Sequence, residues 1–365
     1  MRKYSIVIPT YNRKKLLKNT LEALNSQKGN MWDDFEVIVV DDGSDDGTWE
    51  YIKNLNTKYE IRYFYLERCE RSSRSRTRNF GWKVADGEIV VFIDSDIIVQ
   101  HKHLKELDRC FDQDSDIVVV GNRIKLPRGA LIDFGNLYDF YGFNKFKTKL
   151  LDITYYMHEQ LSYNMSSIRG HGYLLSSCNA AIPKKYLEEV DGFDENFKGW
   201  GHEDCELGLR LQSLKALRYV INYKMDVFHQ YHEINCSNGL EGEENMKYLA
   251  QKYPFTPDNM SVEELFKIWH VFTQSKNSYL AKYSVGWEGN LKTIQLDFRE
   301  ISNLEVFKES IIRLSDQKGL NIVIRDYVEN SDLDIWVQLL GVRNSTPKYF
   351  PVSRTNLVRF APYVS

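Results

Sequence analysis

The chain has no excess of basic charge: 48 Lys and Arg residues stand against 51 Asp and Glu, a net charge of −3 over 365 residues. A nucleic-acid binder needs a basic footprint that releases counter-ions from phosphate, so this balance argues against that class. Long apolar runs are also lacking. A membrane-spanning helix needs about 20 consecutive apolar residues, and no segment approaches that length. Met1 leads almost directly into the apolar segment Tyr4 to Pro9, so neither a signal peptide nor a transit peptide is expected. Cysteine is sparse: the five at positions 69, 110, 178, 205 and 236 are odd in number and nowhere spaced C-x-x-C. That spacing offers no zinc pattern and no disulfide framework, and reduced thiols in a cytoplasm are the default expectation. Internal repeats and low-complexity tracts are absent. What remains is a soluble chain long enough for one large domain and a smaller one.

Among what is present, Glu88-Ile89-Val90-Val91-Phe92-Ile93-Asp94-Ser95-Asp96 is the most informative stretch. An apolar, β-branched run of this kind reads as a strand buried on both faces, and it stops abruptly at two acids. Ligands of open α/β sheets bind beyond the carboxyl ends of strands, and paired carboxylates there suit a hard divalent cation that bridges to phosphate. The alternative is that one of the acids only caps the next helix. The same pattern recurs upstream. Tyr4 to Pro9 breaks at Thr10-Tyr11-Asn12, leucines at 16, 17, 21 and 24 have helical spacing, and Phe35 to Val40 ends in Asp41-Asp42-Gly43-Ser44. A helix to about Leu55, a strand near Ile61 to Leu66, an Arg/Ser-rich segment entering a helix to about Ala85, and a further helix and strand (Asp116 to Val120) complete the alternation. Such alternation implies right-handed crossovers and a mostly parallel sheet, with three strand ends on one rim. The arginines at 68, 71, 74, 76 and 78 form the one strongly basic patch, and guanidinium forks match phosphate oxygens; a solvated surface run is the alternative.

Together, IVIPTYNR, VIVVDDGSDDGT, the SRTRNFG segment and VVFIDSD resemble the family 2 glycosyltransferases of GT-A fold, over about residues 1 to 250. The resemblance implies a UDP-sugar donor and an Asp-x-Asp that holds Mn²⁺ or Mg²⁺ against the diphosphate. Carried onto this chain, it implies donor contacts from Pro9, Tyr11, Asp42, Arg78 and Ser95, with Asp94 facing the ribose or the metal; within the basic patch, Arg74 and Arg78 are the better candidates for phosphate. Tyr11 would flank the base, Asp42 would accept from its imide N–H, and Asp96 would ligate the metal. Thr77 stands where the family's segment has alanine.

The second half supplies the acceptor side. Residues 122 to 172 read as long loops and short helices, and Leu174 to Pro183 as a short strand followed by a helix from Lys184. In Gly199-Trp200-Gly201-His202-Glu203-Asp204 the glycines let the backbone bend closely around a ligand, and a helix starting near Glu203 favours acids in its first turn. This segment resembles one shared by β1,4-galactosyltransferases, chondroitin-polymerase-like enzymes and polypeptide GalNAc-transferases. That likeness implies Asp204 as catalytic base, Glu203 as a partner for acceptor or donor hydroxyls, and Trp200 with Gly201 against a sugar ring. A positioned carboxylate can remove the acceptor proton as the new bond forms. The families place a histidine after a later strand; His229 matches it as the second metal ligand, leaving His232 to a lid.

Beyond about residue 255 the resemblance stops. Pro254 and Pro257 flank an expected linker, followed by a helix over 261 to 275, strands at 294–298, 320–324 and 335–340, and a helix at 306–314. The expected fold is therefore α/β, a GT-A domain (Rossmann-like, mostly parallel sheet) with a small α/β C-terminal accessory domain. The boundaries are 1–253 (nucleotide half 1–121, acceptor half 122–253) and 258–365. The expected activity is metal-dependent, inverting transfer of a hexose or N-acetylhexosamine from a UDP-sugar to a polysaccharide, glycolipid or peptide Ser or Cys. A nucleotidyltransferase is the weaker enzymatic alternative, because no Gly-rich loop with a lysine follows the first strand. A non-catalytic sugar-binding protein is the other. The accessory region could select the acceptor, form a homodimer, or brace the catalytic domain.

Overall fold

A computed structural model describes residues 3–29, 31–134, 137, 152–161, 163–165, 168–233, 238–253, 259–261, 263–265, 292–299, 301–328, 332–340, 345 and 347–351. The linker expected around Pro254 and Pro257 and most of the helix expected over 261–275 lie outside these residues.

The first half alternates strand and helix: β1 (Tyr4–Thr10), α1 (Lys14–Asn25), β2 (Phe35–Asp41), α2 (Thr48–Lys53), β3 (Glu60–Tyr65), α3 (Arg74–Lys83) and β4 (Ile89–Ile93). After it come β5 (Ile97–Val99), α4 (His103–Phe111), β6 (Ile117–Val120), β7 (Arg123–Lys125), α5 (Ile153–Gln160), β8 (Asn179–Pro183), α6 (Lys184–Glu189), α7 (Glu203–Gln212), β9 (Arg218–Ile221), β10 (Val227–His229) and α8 (Asn238–Lys252). Seven strands form the central sheet in the order β3-β2-β1-β4-β8-β6-β9, with β8 alone antiparallel to its neighbours. Every residue of β2 and β4 is buried. That is why both strands read as unbroken apolar runs: one large apolar cluster covers each face of the sheet.

A second sheet, β5-β10-β7, is too short to be legible in the sequence. It matters nonetheless, because β10 runs antiparallel to β5 and sets His229 opposite Ile97, the residue after Asp96.

The C-terminal region builds a third, wholly parallel sheet from β11 (Lys292–Phe298), β12 (Leu320–Asp326) and β13 (Lys348–Pro351), with helices α9 (Leu304–Ser315) and α10 (Leu333–Leu339). The strand expected at 335–340 is a correction: α10 occupies it. A short apolar run with β-branched residues fits a strand or a buried helix equally, and here tertiary packing decides. The α10 helix docks on β9, the edge of the central sheet. Gln338 accepts from Ile221 N (2.7 Å) and donates to Ile221 O (3.0 Å), so a side chain closes an edge that would otherwise be open to pairing. Arg109 of α4 adds a two-pronged bond to Asp334 (2.8 and 3.0 Å).

The helix α7 is seated by glycine. A Cβ on Gly208 would overlap the carbonyl oxygen of Gly172, in the 3₁₀ turn His171–Leu174. Replacing Gly208 with Ala should improve helix propensity by about 1 kcal/mol at most, yet it must push one backbone off another, which costs about 1–3 kcal/mol or more. Gly208→Ala should therefore lower the urea midpoint. A midpoint at or above wild type would show that α7 is not held by this contact.

Candidate active site

At the rim where β1 and β2 end, two turns are clamped together. Asn12, at φ 49°, donates its backbone N–H to Ser44 Oγ (2.8 Å), and its Oδ1 accepts from Asp45 N (2.9 Å). The two acids that end β2 divide their work. Asp41 turns inward and accepts from Ser44 N (2.8 Å) and Tyr63 Oη (2.7 Å). Asp42 turns the other way and accepts from Ser72 Oγ and Arg68 Nη1, each at 2.9 Å. Burial raises its pKa, against the pull of Ser72, Arg68 and Arg76. The Arg68 guanidinium lies 3.8 Å from the centre of the Tyr11 ring, which is 41% exposed. Tyr11 and Asp42 thus share one patch, bridged by Arg68, and Pro9 lies just beneath it, next to last in β1. Arg74 sits apart, exposed at the first position of α3.

Helix α3 explains the Arg-Asn-x-Gly segment residue by residue. Arg78 is 2% exposed and donates from Nη2 to Asp94 (2.7 Å) and from Nη1 to Glu203 (3.2 Å). The next residue, Asn79, donates to Phe193 O (2.8 Å) and Glu195 Oε1 (2.9 Å) and accepts from Phe193 N (2.8 Å) and Trp82 Nε1 (2.9 Å). Gly81 leaves room for Val7 of β1, whose methyl a Cβ would overlap. Thr77 satisfies itself by donating to Ser73 O (2.7 Å), so alanine's replacement here leaves no stranded hydroxyl.

In Asp94-Ser95-Asp96 the two carboxylates part company. Asp94 meets Arg78, Ser95 is buried with its carbonyl accepting from Thr20 Oγ1 (2.9 Å), and Asp96 faces two histidines. Asp96 Oδ2 lies 3.0 Å from His232 Nε2 and 3.6 Å from His229 Nε2. One ligand atom from each of the three falls within 4.8 Å of the others, an arrangement able to hold a cation. Burial opposes charge on Asp96, but the His232 hydrogen bond and the two imidazoles outweigh it and hold the carboxyl below its usual range. Burial lowers the His229 pKa, while the bond to Asp96 raises that of His232. His232, expected in a lid, is thus the nearer of the two to Asp96.

The acceptor-side loop is wound through left-handed backbone at Gly199 (φ 64°), Gly201 (φ 104°) and His202 (φ 70°), which only glycine adopts freely. Trp200 projects from it, 43% exposed, with its ring against Gly242 of α8. Asn245 of α8 pins the loop by donating to the carbonyls of Lys198 (2.7 Å), Trp200 (3.2 Å) and Gly201 (2.9 Å), and Glu241 accepts from Trp200 N (2.9 Å). Glu203 Oε2 accepts from Gly201 N (3.1 Å). Asp204 accepts from Cys205 N (2.9 Å) and Ser177 N (3.2 Å), and burial, with the neighbouring Glu203 charge, pushes its pKa up to about 6. A carboxyl that titrates there is charged at neutral pH yet basic enough to take a proton.

Sequence reasoning missed the roles of Arg68, His232, Glu241 and Asn245. The first two lie next to motifs it used. The last two act from α8, some 40 residues beyond the loop they hold, with no local signal.

The glycosyl transferase family 2 profile matches residues 5–189, and a galactosyltransferase profile matches 158–233. The chain belongs to glycosyl transferase family 2, a family of sugar-transferring enzymes. It is 29% identical over 217 residues to validoxylamine A glucosyltransferase of Streptomyces hygroscopicus subsp. jinggangensis, covering 57% of this chain and 51% of that protein. It is 30% identical over 243 residues to chondroitin synthase of Pasteurella multocida, covering 62% and 24%. The chain thus spans about half of one relative and a quarter of the other. Staphylococcus aureus TarS 1–349, crystallised in complex with UDP-GlcNAc, superposes with a TM-score of 0.53 at 19% identity over 77% of this chain and 74% of that one, and shares the GT-A fold. No helix among the described residues is long and apolar enough to cross a membrane.

The buried Arg78 yields a direct test. Arg78→Ala leaves Glu203 buried and Asp94 partly buried without their shared cation, and breaking a buried pair from one side costs about 3–5 kcal/mol. Urea denaturation should show a loss of that size. A loss below about 1 kcal/mol would mean that water satisfies both carboxylates and that Arg78 holds neither in place.

Proposed function

We propose that the chain is a metal-dependent, inverting transferase that moves a hexose or N-acetylhexosamine from UDP to an acceptor hydroxyl, amine or thiol. The observation that carries this reading is Asp204: a proton acceptor poised near neutrality, joined through Glu203 and Arg78 to the Asp94 strand end. UDP as carrier rests on the family resemblance and agrees with the UDP-GlcNAc named for the TarS structure.

In this reading Tyr11, Asp42 and Pro9 form the base site, with Arg68 beside them, and Asp94, Ser95, Arg74 and Arg78 serve ribose and phosphate. Asp96, His229 and His232 would hold Mn²⁺ or Mg²⁺, and the mixed imidazole and carboxylate set favours Mn²⁺. The fit is supported by Asp96 Oδ1, which is buried without a hydrogen-bond partner among the described residues. A cation bound there would offset the charge that grows on the departing diphosphate. Trp200 and Gly201 offer a face to the acceptor sugar. Asp204 takes the proton from the acceptor as its oxygen, nitrogen or sulfur bonds to the anomeric carbon. The bond from that carbon to the diphosphate oxygen breaks, and its electron pair leaves with UDP. One displacement from the face opposite UDP inverts the anomeric carbon. We assign the catalytic unit to 1–253 and an accessory unit to 258–365, whose α10 helix braces β9.

Incubation with a panel of UDP-sugars should release UDP slowly in Mn²⁺ and not in EDTA. Full release in EDTA would contradict the metal requirement, and no release from any donor would contradict the donor class. Asp204→Asn keeps shape and hydrogen bonding but cannot accept the proton, so turnover should fall about 10²–10⁴-fold while UDP affinity holds. Turnover within a few-fold of wild type on a hydroxyl acceptor would shift the role to Glu203.

A further inference from the structure

Beside the candidate active site, the start of α2 and the edge strand β3 line an open cavity of about 700 Å³, walled chiefly by Asp45, Thr48, Trp49, Glu50, Tyr63 and Tyr65. None of Tyr11, Asp42, Asp94, Asp96 or Asp204 lines it. It lies across the sheet from α3: Phe64 packs on Phe80 of α3, and neighbouring strand residues alternate faces, so Tyr63 and Tyr65 point the other way. Trp49 and Tyr63 are layered at 5.0 Å with their planes 33° apart. Trp49 is 47% exposed and Tyr65 55%, so two large rings meet water at this end of the sheet.

We infer that this cavity is a second, non-catalytic binding site for a neutral glycan. Exposed aromatic rings gathered in a concave site mark ligand contact more often than chance. The flat C–H face of a pyranose covers an indole or phenol ring, while its hydroxyls donate to carboxylates at the margin. Asp45 and Glu50 are placed for that, and with Lys14 at the wall beside Gly47 the acids still outnumber the base two to one, which disfavours phosphate- or carboxylate-bearing chains. A small organic cation is the other ligand that aromatics and acids could draw. Size and charge disfavour it: ligand pockets for drug-sized molecules span about 300–1,000 Å³, far more than an ammonium group fills. In addition, Lys14 Nζ stands 3.0 Å from where a Cβ on Gly47 would lie, placing a like charge at the wall. The clamp between Asn12, Ser44 and Asp45 fixes the loop that forms one side of the cavity, so the site is largely built before a ligand arrives. Glycan binding at this cavity needs no nucleotide and so stands apart from the donor chemistry proposed above.

The test is native electrophoresis of the full chain through gels containing a soluble glucan, a galactomannan or, as the anionic control, alginate. Wild type should be retarded by at least one neutral polymer and not by alginate. Trp49→Ala and Tyr65→Ala should each lose most of that retardation, about tenfold in apparent affinity, while the urea midpoint stays at the wild-type value. Equal retardation of wild type and Trp49→Ala, passage of wild type unretarded through both neutral polymers, or retardation by alginate that Trp49→Ala abolishes would each overturn the proposal. A concentration-dependent dimer of wild type that Trp49→Ala abolishes would assign the surface to self-association and overturn it as well.

Discussion

The rest of the site depends on a single buried guanidinium. Arg78 is held between Asp94, at the end of β4, and Glu203, at the start of α7, and its charge would be costly to bury without both. The two carboxylates lie far apart in sequence and are brought to one point beside the β4–β8 ladder, so their shared cation ties the end of β4 to the start of α7. Its helix repeats the linkage one residue on, where Asn79 spends its whole amide on the segment 193–195 and on Trp82. Rigid placement of this kind is what a direct displacement needs, since a small misalignment of base and donor is expensive in rate.

Around that constraint the supporting parts are local. The short β5-β10-β7 sheet carries His229 to Asp96, and Gln230 anchors its end by donating to Leu16 O (3.0 Å) in α1. The α8 helix holds the Trp200 loop through Asn245 and Glu241. The C-terminal unit contributes no group to this arrangement among the described residues, and its α10 helix closes the open edge of the central sheet instead.

How much was legible in the sequence follows from the physics of each element. Strands buried on both faces announce themselves as apolar runs, so β1, β2, β4 and β6 and the parallel sheet could be read directly. Acids that end such runs have no apolar reason to be there, which pointed to Asp42, Asp94 and Asp96. Three-residue strands such as β5 and β7 are too short to show a period, and α10 was misread because its seven residues carry β-branched and aromatic side chains. Arg68 was not distinguishable from its neighbours in a run of arginines. Its place over Tyr11 arises from the bend after β3 that brings it against Gly43, where a Cβ would overlap Arg68 Cβ. Asp204's raised pKa is likewise a product of burial and of Glu203, and neither is visible in a spacing.

In the function proposed above Asp204 is the base, and burial with the Glu203 charge holds its pKa up against the pull of Arg78. Asp204 must be charged to accept a proton, and its folded pKa lies near 6, so kcat/KM should rise with pH through about 6 and level off above it. Burial and the Glu203 charge both raise that value, so Glu203→Gln should move the acid limb to lower pH. The decisive measurement is kcat/KM against pH for wild type and Glu203→Gln. A limb near pH 6 that shifts downward in the variant is the predicted result. A rate independent of pH down to about 5, or a limb that stays in place when Glu203 is neutralised, would contradict the account.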